Sequence, residues 1–157
     1  MKYAVIYYSK AGTTKKIAEA VKERFNADLY FVEPEEAYGS YISAVARVGK
    51  EKLTKKNPGL KTKPEDFSAY DIVFIGFPVW YGTMPSFEQE YVSKCDLKGK
   101  IVIPFVTAGA NGKDSSLETV RSLCANSKIE HYLFSSMMKK ANVQAWLDEI
   151  EKNYGDK

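Results

Sequence analysis

Apolar and polar positions along this chain follow two alternating rhythms. Lys2 to Tyr8 is a nearly unbroken apolar run rich in β-favouring residues and predicts a buried strand. Thr13 to Asn26 then places Ile17, Val21 and Phe25 four apart, the spacing of one helix face. Asp28 to Glu33 predicts a second strand, ended by Pro34, and Tyr41, Ile42, Val45 and Val48 mark a helix running towards Leu53. Asn57, Pro58, Gly59 and Pro64 form a loop. Asp71 to Phe77 is apolar on both faces, as expected of a central strand in a parallel sheet. Pro85 opens a helix through Tyr91, since its missing N–H would lack a partner there anyway, and Gly99 closes that unit. Lys100 to Thr107 is a fourth strand. Ser115 with Glu118 predicts a capping box for a helix carrying Leu117, Val120, Leu123 and Cys124. Ile129 to Phe134 is a weaker fifth strand, and Asn142 precedes a closing amphipathic helix with Val143, Trp146, Leu147 and Ile150, which packs Trp146 on the sheet.

Strands alternating with helices imply right-handed crossovers and a parallel sheet covered on both faces, an α/β doubly wound three-layer sandwich of five strands. The 157 residues suit one domain spanning 1–157, and a chain of this length buries enough surface to need no disulfide or metal. In such sheets ligands bind beyond the carboxyl ends of the strands, so the chemistry is expected in the loops after strands one, three and four.

Composition narrows the class without choosing the function. With 45% hydrophobic and 27% charged residues the chain reads as an ordinary globular protein, neither disordered nor membrane-spanning. No targeting segment is visible, and Cys95 and Cys124 lie too far apart for a CxxC motif, so both are expected to be reduced, in a cytoplasmic protein. The net charge is only +3. It is concentrated: Arg47, Lys50, Lys52, Lys55, Lys56, Lys61 and Lys63 face only Glu51 within that stretch, leaving the rest mildly acidic. Without interleaved aromatics this stretch reads as a solvated helix face and loop, or a docking patch for an acidic partner, and not as a nucleic-acid surface.

Three loops carry the candidate chemistry. Ser9, Lys10, Ala11, Gly12, Thr13 and Thr14 form a hydroxyl-rich turn leading directly into helix one, an anion cradle in which free N–H groups and the positive helix end could receive a phosphate. It is neither a GxxxxGK[ST] loop nor GxGxxG, which weighs against nucleoside triphosphates and dinucleotides. Pro78, Val79, Trp80, Tyr81 and Gly82 put two bulky aromatics in a loop where a flat aromatic ligand could stack. Thr107, Ala108, Gly109, Ala110, Asn111 and Gly112 are small enough to bring backbone against a planar ring. Each turn alone also reads as an ordinary connection; together they describe one site. His131, the single histidine, falls on the fifth strand away from these loops and reads as a satisfied structural or surface residue, and Cys124 and Cys95 read as packing.

On these residues the chain resembles the flavodoxin family over nearly its whole length. Ser9, Gly12 and Thr14 match the family's [TS]-x-T-G-x-T phosphate loop, and the 78–82 and 107–112 loops resemble its two flavin-flanking loops. The resemblance implies strand order 2-1-3-4-5 with FMN at the switch point, an arrangement for which flavodoxin is itself the standard example. Ala11 and Thr13 depart from the family's hydroxyl residue and Asn, so the phosphate should lean on backbone N–H groups. It further implies an FMN-binding redox protein, an electron carrier between partner proteins or an NAD(P)H-dependent reductase of a small quinone-like substrate. No catalytic side chain is needed in either case, because the flavin supplies the redox chemistry. A monomer or weak homodimer is expected.

Overall fold

The computed structural model describes residues 1–39, 41–54 and 59–155. The expected loop residues Asn57 and Pro58 and the basic residues Lys55 and Lys56 lie outside them. Six strands, β1 (Tyr3–Tyr7), β2 (Asp28–Phe31), β3 (Ile72–Pro78), β4 (Ile101–Ala108), β5 (Lys128–Ile129) and β6 (Leu133–Ser136), form one parallel sheet. Five helices join it: α1 (Thr13–Phe25), α2 (Tyr41–Thr54), α3 (Ser86–Ser93), α4 (Lys113–Leu123) and α5 (Val143–Tyr154). The sheet order is β2-β1-β3-β4-β5, with β6 also on β4. The expected doubly wound architecture is therefore present.

The period of two in each strand sorts side chains to opposite faces. Ala4, Ile6, Val73, Ile75, Val102 and Val106 pack with Phe87, Tyr91 and Val92 of α3 and Val120 of α4. Val5, Tyr7, Ile72, Phe74, Ile103 and Phe105 pack with Ile17, Val21 and Phe25 of α1 and Trp146, Leu147 and Ile150 of α5. Trp146 lies edge-on to Phe74, with centroids 5.9 Å apart, as its place on the closing helix predicts. Gly76 pairs with Phe105, whose ring occupies the space a side chain at Gly76 would need: a β-carbon there would sit 2.1 Å from Phe105 Cζ.

Two expectations are corrected. The single fifth strand over Ile129 to Phe134 is instead β5 and β6, separated by residues 130–132. Pro104 of β4 explains the gap. Val102 O accepts from Glu130 N at 3.1 Å, so even-numbered residues of β4 direct their backbone groups towards this edge, and at 104 the donor is missing. Four residue steps from Ile129 to Leu133 oppose three from Val102 to Phe105, a bulge that places His131 at φ 50°. The capping box is also absent. Helix α4 begins at Lys113 behind Gly112, and Ser115, inside its first turn, donates its hydroxyl to Gly82 O, while Glu118 pairs with Arg121 at 2.6 Å.

His131 is structural as expected: Nδ1 lies 3.3 Å from Glu149, and its carbonyl accepts from Trp146 Nε1. Burial pushes the Cys124 thiol up to about 12 and Cys95 to about 11, so both stay protonated packing residues. In the basic stretch Arg47 pairs with Glu51 at 2.8 Å and Lys61 with Glu33 at 2.9 Å. No helix among the described residues is long and apolar enough to cross a membrane.

Candidate functional site

The three loops converge at the carboxyl ends of β1, β3 and β4. Thr14 and Thr107 join their hydroxyls at 2.8 Å, tying the first turn of α1 to the end of β4. Val79 N donates to Thr107 O at 2.8 Å, and Tyr8 N to Gly76 O at 3.1 Å. Val79 rests against Gly112, where a β-carbon would lie 2.6 Å from Val79 Cγ1, so glycine is needed for the second and third loops to meet. Gly112 also carries a positive φ of 107°.

In the turn after β1, Ser9 Oγ accepts from Gly12 N at 3.1 Å. Gly12 takes φ 92° as the residue before α1, and no side chain caps the helix. The N–H groups of Thr13, Thr14 and Lys15 have no acceptor within the helix, as at any helix start. Space is open beside them, since a β-carbon on Gly12 would meet nothing within 4 Å. An uncapped helix end with open space before it fits a phosphate held by backbone donors; the Thr14 hydroxyl is engaged with Thr107, while Ser9 Oγ accepts from Gly12 N and keeps its own proton to donate. Ala11 and Thr13 are exposed. Lys10 turns away from the turn, donating from Nζ to Tyr38 O at 2.7 Å.

The loop after β3 turns back on itself. Trp80 and Thr83 exchange backbone hydrogen bonds, and Tyr81 (φ 51°) with Gly82 (φ 81°) makes the two-residue turn between them. Positive φ at both central residues defines a type I′ turn. The two aromatics part there. Trp80 is only 6% exposed and meets Tyr8 and Tyr38 at steep angles, with centroids 5.5 and 5.1 Å away. Tyr81 is 47% exposed and reaches across to Gly49 of α2. Pro78 continues β3. Ala108 and Gly109 both accept from Met137 N, at 3.0 and 3.1 Å, which binds the third loop to the turn after β6; Asn111 is exposed.

Sequence reasoning missed the group behind Trp80. Tyr38 is buried, donates to Glu51 Oε2 at 2.7 Å, and carries the Arg47 guanidinium 4.2 Å above its ring. Burial, then the bond to Glu51, raises its pKa, so it remains a phenol. The one available signal was an isolated tyrosine in the polar run after Pro34. Glu88 was missed as well. It is fully buried in the first turn of α3, neither carboxyl oxygen has a hydrogen-bond partner among the described residues, and burial raises its pKa well above the carboxylate range. Tyr8, at the end of β1, is pushed up to about 12 by burial and then by Glu88.

Comparison with known proteins follows the same lines. A flavodoxin family model matches residues 2–150. A candidate flavoprotein from Bacteroides eggerthii DSM 20697 is 30% identical with a TM-score of 0.77, covering 95% of this chain and 97% of its own. A candidate flavoprotein from Bacteroides uniformis ATCC 8492 is 24% identical with a TM-score of 0.79, covering 96% and 97%. A flavoprotein from Lactobacillus acidophilus NCFM, solved in complex with FMN, shares the fold at 19% identity and a TM-score of 0.71, covering 92% and 97%. Among curated proteins none matches.

Proposed function

Because the chain belongs to the flavodoxin family, we propose that it binds FMN and works as a redox protein, residues 1–157 acting as one domain. The observation that carries this reading is the open, uncapped start of α1 behind Gly12, set beside two loops that meet at Val79 and Gly112. In this reading the 9–14 turn holds the phosphate through the backbone N–H groups of Thr13, Thr14 and Lys15. The 78–82 and 107–112 loops flank the ring, with exposed Tyr81 as the stacking side chain and buried Trp80 as its support. The flavin supplies the electron chemistry; the chain orients it and excludes water from it. The expected role is electron transfer between partner proteins in the cytoplasm, by a monomer or weak homodimer.

A second reading, an NAD(P)H-dependent reductase of a small quinone-like substrate, is favoured by a cavity beside the third loop, described below. Reconstitution with excess flavin, followed by mass analysis of the released cofactor, tests the first claim. One FMN per chain is expected, and FAD or no flavin would overturn it. Anaerobic mixing with NADH and NADPH separates the two roles: a carrier is reduced slowly without a partner protein, a reductase quickly.

A further inference from the structure

A cavity of about 730 Å³ opens between the start of α4 and the turn that follows β6. Asn111 and Gly112 form one wall, and the cavity thus shares the third loop with the candidate flavin site. No residue of the 9–14 turn or the 78–82 loop lines it. Its volume falls within the range of small-molecule sites, roughly 300–1,000 Å³.

The lining combines two chemistries. Lys113, Lys139 and Lys140 supply three cations against the one carboxylate of Asp114. None of the three pairs with a carboxylate among the described residues, although neighbouring cations do: Arg121 with Glu118 and Lys128 with Glu130. Phe134 and Met138 supply apolar surface, and Met138 is 83% exposed at the rim. Phe134, partly buried against the core, and the exposed Met138 thus set an apolar surface beside cations that no carboxylate among the described residues neutralises. The turn is nonetheless well held: Ser136 N donates to Lys139 O at 3.0 Å and Lys139 N to Ser136 Oγ at 2.9 Å, which fixes the lysine-bearing backbone.

We propose that this cavity binds a phosphate-bearing nucleotide, with Lys113, Lys139 and Lys140 on the phosphates and Phe134 and Met138 against an apolar ring. The proposal rests on the second reading above and names its electron source as a nicotinamide dinucleotide, whose pyrophosphate matches the cations and whose rings match the apolar wall. Position supports it, since a ligand anchored here lies against the loop that would flank the flavin.

The test is calorimetric titration with ADP-ribose, a redox-inert fragment of that ligand, run on the chain with and without FMN. Saturable binding is expected, weakened at least ~10-fold in Lys139→Glu/Lys140→Glu and retained in Lys139→Arg/Lys140→Arg, with FMN affinity unchanged within about twofold. Absence of saturable binding, or binding indifferent to charge reversal, would overturn the proposal. So would purification with FAD, which would assign the cavity to the cofactor's own adenylate half. A chain that takes ADP-ribose but no flavin would leave the cavity standing and remove the FMN reading.

Discussion

Glu88 offers the sharpest quantitative test of the structure. It lies at the N-terminal end of α3, where the helix dipole favours a carboxylate by about 0.3–1 kcal/mol. Stripping a carboxylate of water costs several kcal/mol when no partner replaces it, so desolvation wins and the group is held as the neutral acid. The sign of the pH effect follows. A carboxyl whose folded pKa lies above its unfolded one gives full stability below the unfolded value, and loses it as pH rises towards the folded value. Within that window the unfolded state carries one proton fewer, and stability falls by about 1.4 kcal/mol per pH unit. Glu88→Gln cannot ionise, so its urea-derived stability should lack this slope: the difference between variant and wild type should widen as pH rises from 5 towards the folded value, by up to about 1.4 kcal/mol per pH unit. Glu88→Leu also removes two buried oxygens without partners and should be more stable than the wild type at pH 5 by about 1–3 kcal/mol. Parallel stability curves for wild type and Glu88→Gln, or a Glu88→Leu variant less stable at every pH, would refute the view that this carboxyl is buried, neutral and unpaired.

Other expectations concern the loops and the sheet. Gly12→Ala meets open space, so its cost is conformational, about 1–2 kcal/mol for forcing a β-carbon into a left-handed position, and it should weaken FMN far more than riboflavin in parallel titrations. Equal losses for the two ligands would move the phosphate elsewhere. Gly76→Ala drives a methyl into the Phe105 ring and should cost about 1–3 kcal/mol, read as a lower denaturation midpoint and partly restored by Phe105→Leu; an unchanged midpoint would contradict this packing. Tyr81→Gly relieves the positive φ and should hold or raise stability while brightening bound-flavin fluorescence, whereas Trp80→Ala empties a buried site and should cost about 3–5 kcal/mol. Flavin fluorescence unchanged in Tyr81→Gly would take that ring out of the site.

Much of the fold was legible because burial on both faces leaves a local trace. The apolar run at Asp71 to Phe77 and the four-residue spacing of Ile17, Val21 and Phe25 need no distant partner to be read, and both elements stand where expected. What escaped depends on contacts between distant residues. The interruption of the fifth strand originates in Pro104, on another strand, and emerges only once the register is known. Ser115 and Glu118 carry the spacing of a capping box, yet the serine hydroxyl is taken by Gly82, 33 residues away, and Gly112 starts the helix earlier. The loops of the site were legible as three turns, but the assignment of their parts was not. Trp80 and Tyr81 look alike in sequence, and only the turn between them sends one inward and the other outward. The cationic cavity joins Lys113 to Lys139 and Lys140 across more than twenty residues, a spacing no local pattern reveals.

The bulge opposite Pro104 bears on how the molecule behaves in a crowded solution. The outer border of a parallel sheet offers unpaired backbone groups to any extended chain, including another copy of itself, and a long regular border is a template for strand addition. Here that border is cut into a two-residue and a four-residue piece by residues 130–132, with His131 twisted out of the extended conformation between them. An incoming strand would lose its register at the break and find no continuous ladder to extend. The opposite border, β2, is four residues long and gives way to Pro34 three residues on. A proline chosen inside the sheet thus limits self-assembly at its margin, and straightening residues 130–132 would remove that limit before it altered anything at the loops.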